Sequence, residues 1–271
     1  MNAIDFEYDN QYLSDYGFII CDFNASSGAD TISAGSNLTF NTVPKNRGKQ
    51  YSLTSTQYDE CITVTFDICK NPETHDEADM VLTSDECRDL MRWLNRREFL
   101  KFQVLYDEQD YDSCVYNASF NVSKIVIAEK IVGLELEMTT DKPFAYGQER
   151  TIKLNVSDPS KTYNVIDNSD DIGYITPNMV ITCNSSGNLQ ITNTFCDCIF
   201  LIKNCSAGEV ITIDGENLLV SSSLNSHKIY NDFNFEFLKI GNNYYSCINP
   251  ITVSIPCEIV IKYNPIIKQT P

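Results

Sequence analysis

The chain has 271 residues, 42% of them hydrophobic and 21% charged, enough for one large β domain or two ordinary ones with cores of their own. Its formal net charge of -17, with 13 basic against 26 acidic residues up to residue 150 and 7 against 11 beyond it, argues against nucleic acid as a direct partner, because phosphate binding needs a basic surface. No apolar run approaches the ~20 residues of a membrane span, and Met1 to Tyr8 has neither a basic nor an apolar leader region, so neither membrane insertion nor Sec-type export is expected.

Period-two alternation dominates from the start, which is the pattern of half-buried strands. In Cys61 to Cys69, Ile62, Val64, Phe66 and Ile68 share one face, with Thr63, Thr65 and Asp67 on the other. A single helix interrupts the strands at about 84–97. Thr83 with Glu86 forms a capping-box pair, and Cys87, Leu90, Met91 and Leu94 make one apolar stripe. Arg92, Arg96 and Arg97 crowd its C-terminal end; complementarity to the helix dipole accounts for them better than a basic binding patch does. Strand alternation resumes at Ile131 to Met138, with Leu134, Leu136 and Met138 inward. Pro143 to Tyr146 closes the first half, and Ser157 to Lys161 reads as a linker, dividing the chain into 1–150 and 151–271. The second part, rich in Asn, Ser, Ile and Val, carries short strands at sandwich-like spacing. There Phe233, Phe235 and Phe237 alternate with Asn234 and Glu236, and Ile259, Ile261 and Tyr263 alternate with Val260 and Lys262.

Catalysis requires a nucleophile, a base and an orienting group, and the residues for such a set are sparse. His75, beside Asp76 and Glu77, has no second histidine at ligand spacing and reads as a solvated loop residue; His227 has no evident partner. Cys196, Asp197 and Cys198, with Cys205, invite a zinc reading, but a Cys-x-Cys step inside a strand puts both sulfurs on one face and fits strand packing better. All eleven cysteines, scattered and odd in number, are read as small buried hydrophobes in a reducing compartment. The acidic run Asp107 to Asp112 lacks the central Gly and terminal Glu of an EF-hand and reads as a hairpin loop. Carboxylates paired for glycoside hydrolysis rank last, since abundance of Asp and Glu is not arrangement. No catalytic, cofactor-binding or metal-ligating residue is assigned, and the chain is expected not to be an enzyme.

Several stretches, in order, resemble the siphophage distal tail protein family. Leu82 to Leu94 is similar to its lone helix, with Thr83, Glu86, Trp93 and Leu94 in the matching places, and Phe99 to Val104 to the strand that follows. Tyr116 to Phe120, Leu134 to Met138 and Lys142 to Tyr146 resemble its later strands and closing signature, and Phe6 to Tyr8 with Asp15 to Ile20 its opening. Gly173 to Thr182, Asn188 to Asn193 and Phe237 to Asn243 resemble its galectin-like sandwich.

The resemblance implies a mainly β fold: an N-terminal barrel-like ring domain with one helix, then a C-terminal galectin-like β-sandwich. It implies a homohexameric ring that joins the tail tube to the tail-tip hub and anchors receptor-binding or baseplate proteins. The ring would sit at the virion tail tip after assembly in the bacterial cytoplasm, with DNA passing an acidic lumen that repels it. The rival is a carbohydrate- or receptor-binding module acting through the sandwich. It is weakened because the lone Trp, Trp93, lies in the other domain and residues 151–271 contain no Arg. Tyr230, Tyr244 and Tyr245 remain as stacking candidates. Trp93 itself is either a subunit-interface anchor or, the favoured reading, part of its own domain's core.

Overall fold

The computed structural model describes residues 3–23, 37–44, 51–58, 60–107 and 114–271. The described residues of the chain form two compact units, one of Met1–Gly147 with Ile267–Pro271 and one of Gln148–Ile266. The last five residues thus belong to the first unit, where the Tyr116 hydroxyl donates to the Gln269 carbonyl oxygen at 3.1 Å. Asp107 follows the strand that ends at Tyr106, and the rest of the acidic run to Asp112 lies outside the described residues.

In the first unit the strands are β1 (Ala3–Tyr8), β2 (Gln11–Tyr12), β3 (Phe18–Cys21), β4 (Leu38–Pro44), β5 (Tyr51–Tyr58) and β6 (Thr63–Lys70). After helix α1 (Ser84–Leu94) come β7 (Leu100–Tyr106), β8 (Val115–Ile127), β9 (Lys130–Thr140) and β10 (Ala145–Tyr146). The main sheet runs β2-β1-β7-β8-β9-β6-β3 and is antiparallel throughout that path. Its core face carries Phe6, Phe102, Tyr116, Phe120, Leu134, Leu136 and Met138, all buried, and α1 covers that face with Cys87, Leu90, Trp93 and Leu94. Aromatic rings fill the space between. Trp93 stacks on Tyr16 at 4.5 Å and on Phe6 at 5.7 Å, and its indole N–H donates to the Tyr8 carbonyl oxygen at 3.0 Å. Trp93 is core, not surface.

The capping box forms as its residues require. Thr83 Oγ1 accepts from the Glu86 N–H, and Glu86 Oε2 accepts from the Thr83 N–H at 2.7 Å. The helix stops at Leu94 rather than reaching Arg97. The Asn95 side chain donates to the Phe120 carbonyl at 2.8 Å, and its backbone leaves helical geometry to do so. Arg96 still serves the helix end, its Nε donating to the Trp93 carbonyl oxygen at 3.1 Å.

The second unit contains β11 (Arg150–Val156), β12 (Thr162–Ile166), β13 (Gly173–Ile175), β14 (Asn178–Cys183), β15 (Gly187–Asn193), β16 (Cys198–Cys205), β17 (Val210–Asp214) and β18 (Leu219–Ser222). A single helical turn α2 (Ile229–Asp232) is followed by β19 (Ile240–Asn242), β20 (Ile248–Val253) and β21 (Cys257–Tyr263). The short β22 (Ile266–Ile267) follows at the boundary, Ile266 closing this unit and Ile267 beginning the stretch that belongs to the first. One sheet runs β11-β21-β14-β17-β18 and the other β12-β20-β15-β16, and inward residues of both make one core, among them Ile181, Ile213, Ile259 and Ile261 from the first and Leu189, Ile191, Phe200 and Ile251 from the second. This is a sandwich. At its heart Asn249 Oδ1 accepts from the Gly241 N–H and from Asn193 Nδ2, while Asn249 Nδ2 donates to the Gly241 carbonyl. A Cβ on Gly241 would collide with the Gly173 carbonyl oxygen and the Tyr174 ring, so glycine is required there.

The Phe233–Phe237 alternation does not make a strand. Phe235 adopts a left-handed φ of 58°, which breaks the period and leaves its ring 66% exposed, while Phe233 remains in the core. The segment lies along β16 through one isolated antiparallel bridge, Phe233 to Ile202, and the bonds of Asn234: its N–H donates to the Leu201 carbonyl at 3.1 Å, its Oδ1 accepts from the Leu201 N–H, and its Nδ2 donates to the Ile199 carbonyl. An edge strand is thereby covered without extending the sheet.

Candidate functional site

The most conspicuous surface of the first unit is the β4–β5 hairpin, a two-stranded sheet of its own. Its register pairs Leu38 with Tyr58, Phe40 with Thr56 and, past a bulge, Thr42 with Leu53, so Leu38, Phe40 and Leu53 share a face. Those three side chains are 44%, 60% and 57% exposed. The other face carries Thr39, Asn41, Ser52, Ser55 and Gln57, together with Val43, which is 53% exposed. Two strands alone bury too little to be stable in water, and this pair exposes large apolar side chains, three on one face and Val43 on the other.

Near the start of α1, Lys70 ties a strand to the helix cap. Its Nζ, in a side chain only 1% exposed, lies 2.7 Å from Glu86 Oε1 and donates to the Asp79 carbonyl oxygen at 2.8 Å. Burial works against the ammonium, but the hydrogen bond and charge of Glu86, with Asp79 behind it, hold its pKa above the usual lysine value. For Glu86, burial opposes ionisation, and the bonds from Lys70 and Thr83 overcome it, holding the carboxyl below its usual range. The buried ammonium takes its partners from these neighbours, which makes the cluster a structural tie.

The second unit contains a constellation that the sequence did not disclose. Glu209, fully buried, accepts from His227 Nδ1 at 2.5 Å, from Ser222 Oγ at 2.5 Å and from the Ser206 N–H at 2.8 Å. His227 Nε2 faces Asp232 Oδ2 at 3.3 Å. Burial disfavours both charges, yet for Glu209 the bonds from Ser222, Ser206 and His227 lower its pKa, and for His227 the bond and charge of Glu209 raise it. Serine, histidine and carboxylates are all present, but the Ser222 hydroxyl gives its hydrogen to Glu209 instead of to the imidazole. Both imidazole nitrogens face carboxylates, so no base is left for a nucleophile. The cluster pins α2 to the β17–β18 hairpin. No sequence spacing signals it, because its members lie 13 and 18 residues apart along an irregular path.

The other sequence candidates are dispersed. His75 is a loop residue whose Nδ1 lies 3.1 Å from the Asn71 carbonyl oxygen and 3.0 Å from Thr74 Oγ1. Among the described residues no group of three or more His, Cys, Asp or Glu is arranged to hold a metal. Cys205 is buried with its thiol against Cys183, away from any pairing with Cys196 or Cys198. Cys196 and Cys198 are joined by a disulfide, contrary to the reading of all eleven cysteines as unpaired. Cys196 and Asp197 lie in a turn, and Asp197 at a left-handed φ of 52° breaks strand periodicity and brings the two sulfurs together with Cα atoms 5.3 Å apart. Tyr244 and Tyr245 stand 89% and 96% exposed in the turn before β20, where Asn243 Oδ1 accepts from the N–H groups of Tyr245 and Ser246; Tyr230 is exposed on α2. A shallow hollow on the outer face of β14 and β17, near Asp214, Glu216 and Lys262, has its most prominent carboxylate committed, since Asp214 accepts from Asn217 and from the Glu216 N–H.

Among the described residues the sequence candidates are thus dispersed, and the Glu209–Ser222–His227 cluster is closed on itself. A model of a phage tail protein N-terminal domain matches residues 1–142, and a model of a phage tail C-terminal domain matches residues 144–263. The crystal structure of the Dit protein of phage SPP1, described as a paradigm of the hub adsorption apparatus of phages infecting Gram-positive hosts, superposes with a TM-score of 0.68 at 12% identity, over 97% of this chain and 99% of that one. A search of curated proteins finds no match. The chain therefore belongs to the phage tail proteins, as a component of the virion tail built on the mainly β distal tail fold.

Proposed function

We propose that this protein is a structural ring component, a homohexamer that joins the tail tube to the tail-tip hub and anchors the receptor-binding or baseplate apparatus. It transforms no substrate, and its second unit serves as a galectin-like peripheral module. The observation that carries this reading is the β4–β5 hairpin, a sheet of its own on which Leu38, Phe40 and Leu53 stand exposed on one face while Tyr58 at its end packs on Phe144. In a ring, that face is covered by the next copy, and a rotation repeated six times closes the assembly. The acidic balance of residues up to 150 suits a channel that lets DNA pass without gripping it.

Size-exclusion chromatography with light scattering, paired with negative-stain imaging of the full chain, tests the proposal. The parent is expected to run as a hexamer with ring views. Phe40→Asp with Leu53→Asp is expected to run as a monomer with an unchanged circular dichroism spectrum. A parent that stays monomeric at high concentration, or a doubly substituted chain that still forms rings, overturns it.

A second reading, glycan binding through the sandwich, rests on the exposure of Tyr244 and Tyr245. It predicts retention of the full chain on host cell-wall polysaccharide, lost in Tyr244→Ala with Tyr245→Ala. Equal retention of the two chains would dismiss it.

A further inference from the structure

The turn joining β15 to β16 holds two sulfurs two residues apart, and its surroundings accommodate them both bonded to each other and apart. Cys196 and Cys198 are joined, and Asp197 between them takes the left-handed conformation that lets a Cys-x-Cys step close on itself. Backbone carbonyl oxygens also wait at the distances a thiol donor needs. The Asn193 oxygen lies 3.8 Å and the Lys239 oxygen 3.7 Å from Cys196 Sγ, and the Lys239 oxygen lies 3.8 Å from Cys198 Sγ. Reduction therefore leaves no buried S–H without an acceptor. The ring that the bond closes is as short as a disulfide with one intervening residue allows, so it removes little freedom from the unfolded chain and adds little stability, unlike a bond that spans a long loop. A disulfide that contributes little to folding, and whose reduced form is satisfied in place, is a reducible one.

We propose that Cys196 and Cys198 form a reversible dithiol–disulfide couple, a redox modification site whose exchange partner is a small disulfide or thiol of the glutathione class. Cys196 is the partly exposed sulfur and Cys198 is buried, so an incoming thiolate attacks Cys196 and Cys198 leaves. A second thiolate then attacks the mixed disulfide at its glutathione sulfur. The protein bond takes up two electrons and two protons to become two thiols, and two glutathione molecules give them up to become one glutathione disulfide. Oxidation is the reverse. The couple is separate from the ring reading and does not depend on it. The same turn carries Phe195, whose ring meets the exposed Tyr174 edge-on at 6.1 Å, so the couple sits beside an aromatic surface of the sandwich.

The test equilibrates the native full chain in glutathione buffers of graded ratio, quenches with acid, alkylates free thiols and maps them by peptide mass spectrometry. Expected is a single disulfide, confined to the peptide bearing Cys196 and Cys198. It should pass from mostly dithiol to mostly disulfide over about a hundredfold change in the ratio of squared glutathione to glutathione disulfide, while the nine other cysteines stay alkylated. Cys196→Ser, in a turn where the hydroxyl meets the same carbonyls, should keep the fold and abolish the ratio-dependent signal. The proposal is overturned by a pair that stays oxidised until the chain unfolds, by a pair that never oxidises, or by a signal that survives in Cys196→Ser and maps elsewhere, for example to Cys21 and Cys69.

Discussion

Replacing Trp93 with alanine removes the ring on which the first unit's helix rests. The indole is 2% exposed, stacked against Tyr16 and Phe6 and tilted against Tyr8, and its N–H satisfies the Tyr8 carbonyl. Truncations of large buried aromatics cost about 3–5 kcal/mol through lost transfer energy and residual cavity, and the hydrogen bond adds about 1 kcal/mol. A loss of about 4 kcal/mol is a large share of the roughly 5–15 kcal/mol that holds a domain folded. The assay is urea unfolding of the intact chain by far-ultraviolet circular dichroism, because Trp93 is the sole tryptophan and Trp93→Ala loses the fluorophore. With a slope of about 2 kcal/mol per molar, the first unit's midpoint should fall by about 2 M. Trp93→Phe keeps the stacking, loses only the donor and part of the ring, and should fall between parent and Trp93→Ala. A Trp93→Ala midpoint within about 0.5 M of the parent would refute the placement of this ring in the core.

Lys70→Met should cost about 1–3 kcal/mol in the same unfolding assay by leaving Glu86 and the Asp79 carbonyl without their cation. A subsequent Glu86→Gln should then cost less than it does in the parent, and full additivity in that double-mutant cycle would show that the two groups do not interact. Asn249→Ala should lower stability by about 3 kcal/mol, since it strips partners from both the N–H and the carbonyl of buried Gly241; a thermal midpoint within a degree or two of the parent, about the size of a 0.5 kcal/mol change, would contradict this. The pH dependence follows from His227 and Glu209. His227 has a folded pKa raised above its unfolded value, so its contribution is complete below about 6.5 and fades as pH rises through the folded value. Glu209 is lowered, so its contribution is complete above about 4.5 and fades as pH falls. His227→Gln should flatten the alkaline limb of the thermal midpoint against pH and leave most of the acid limb, because Ser222 and Ser206 still donate to Glu209. An unchanged alkaline limb would show that His227 is not charged in the folded protein.

Much of the architecture was legible in the sequence wherever one element's own residues decide its state. The Thr83–Glu86 box and the stripe of Cys87, Leu90, Met91 and Leu94 announce α1, although Met91 stands 37% exposed and Trp93 is buried with the other three, and the alternation of Leu134, Leu136 and Met138 announces a strand with one face inward, because helical and strand periods are local properties of the chain. The helix end was read three residues too far, since what stops it is the Phe120 carbonyl oxygen from a distant strand. Phe233 to Phe237 has the period of a strand, but a single left-handed residue and the side-chain bonds of Asn234 hold it as an irregular cover along β16.

What the sequence determined alone was composition and period: a mainly β, acidic chain with one amphipathic helix. Tertiary structure alone decided which residues far apart in the chain would meet. It placed His227 on Glu209, Asn249 on Gly241 and Lys70 on the α1 cap, it closed Cys196 onto Cys198, and it left one face of the β4–β5 hairpin open. Hydrogen bonds and bare apolar faces of this kind depend on register and packing across the fold, which no local pattern of residue types records.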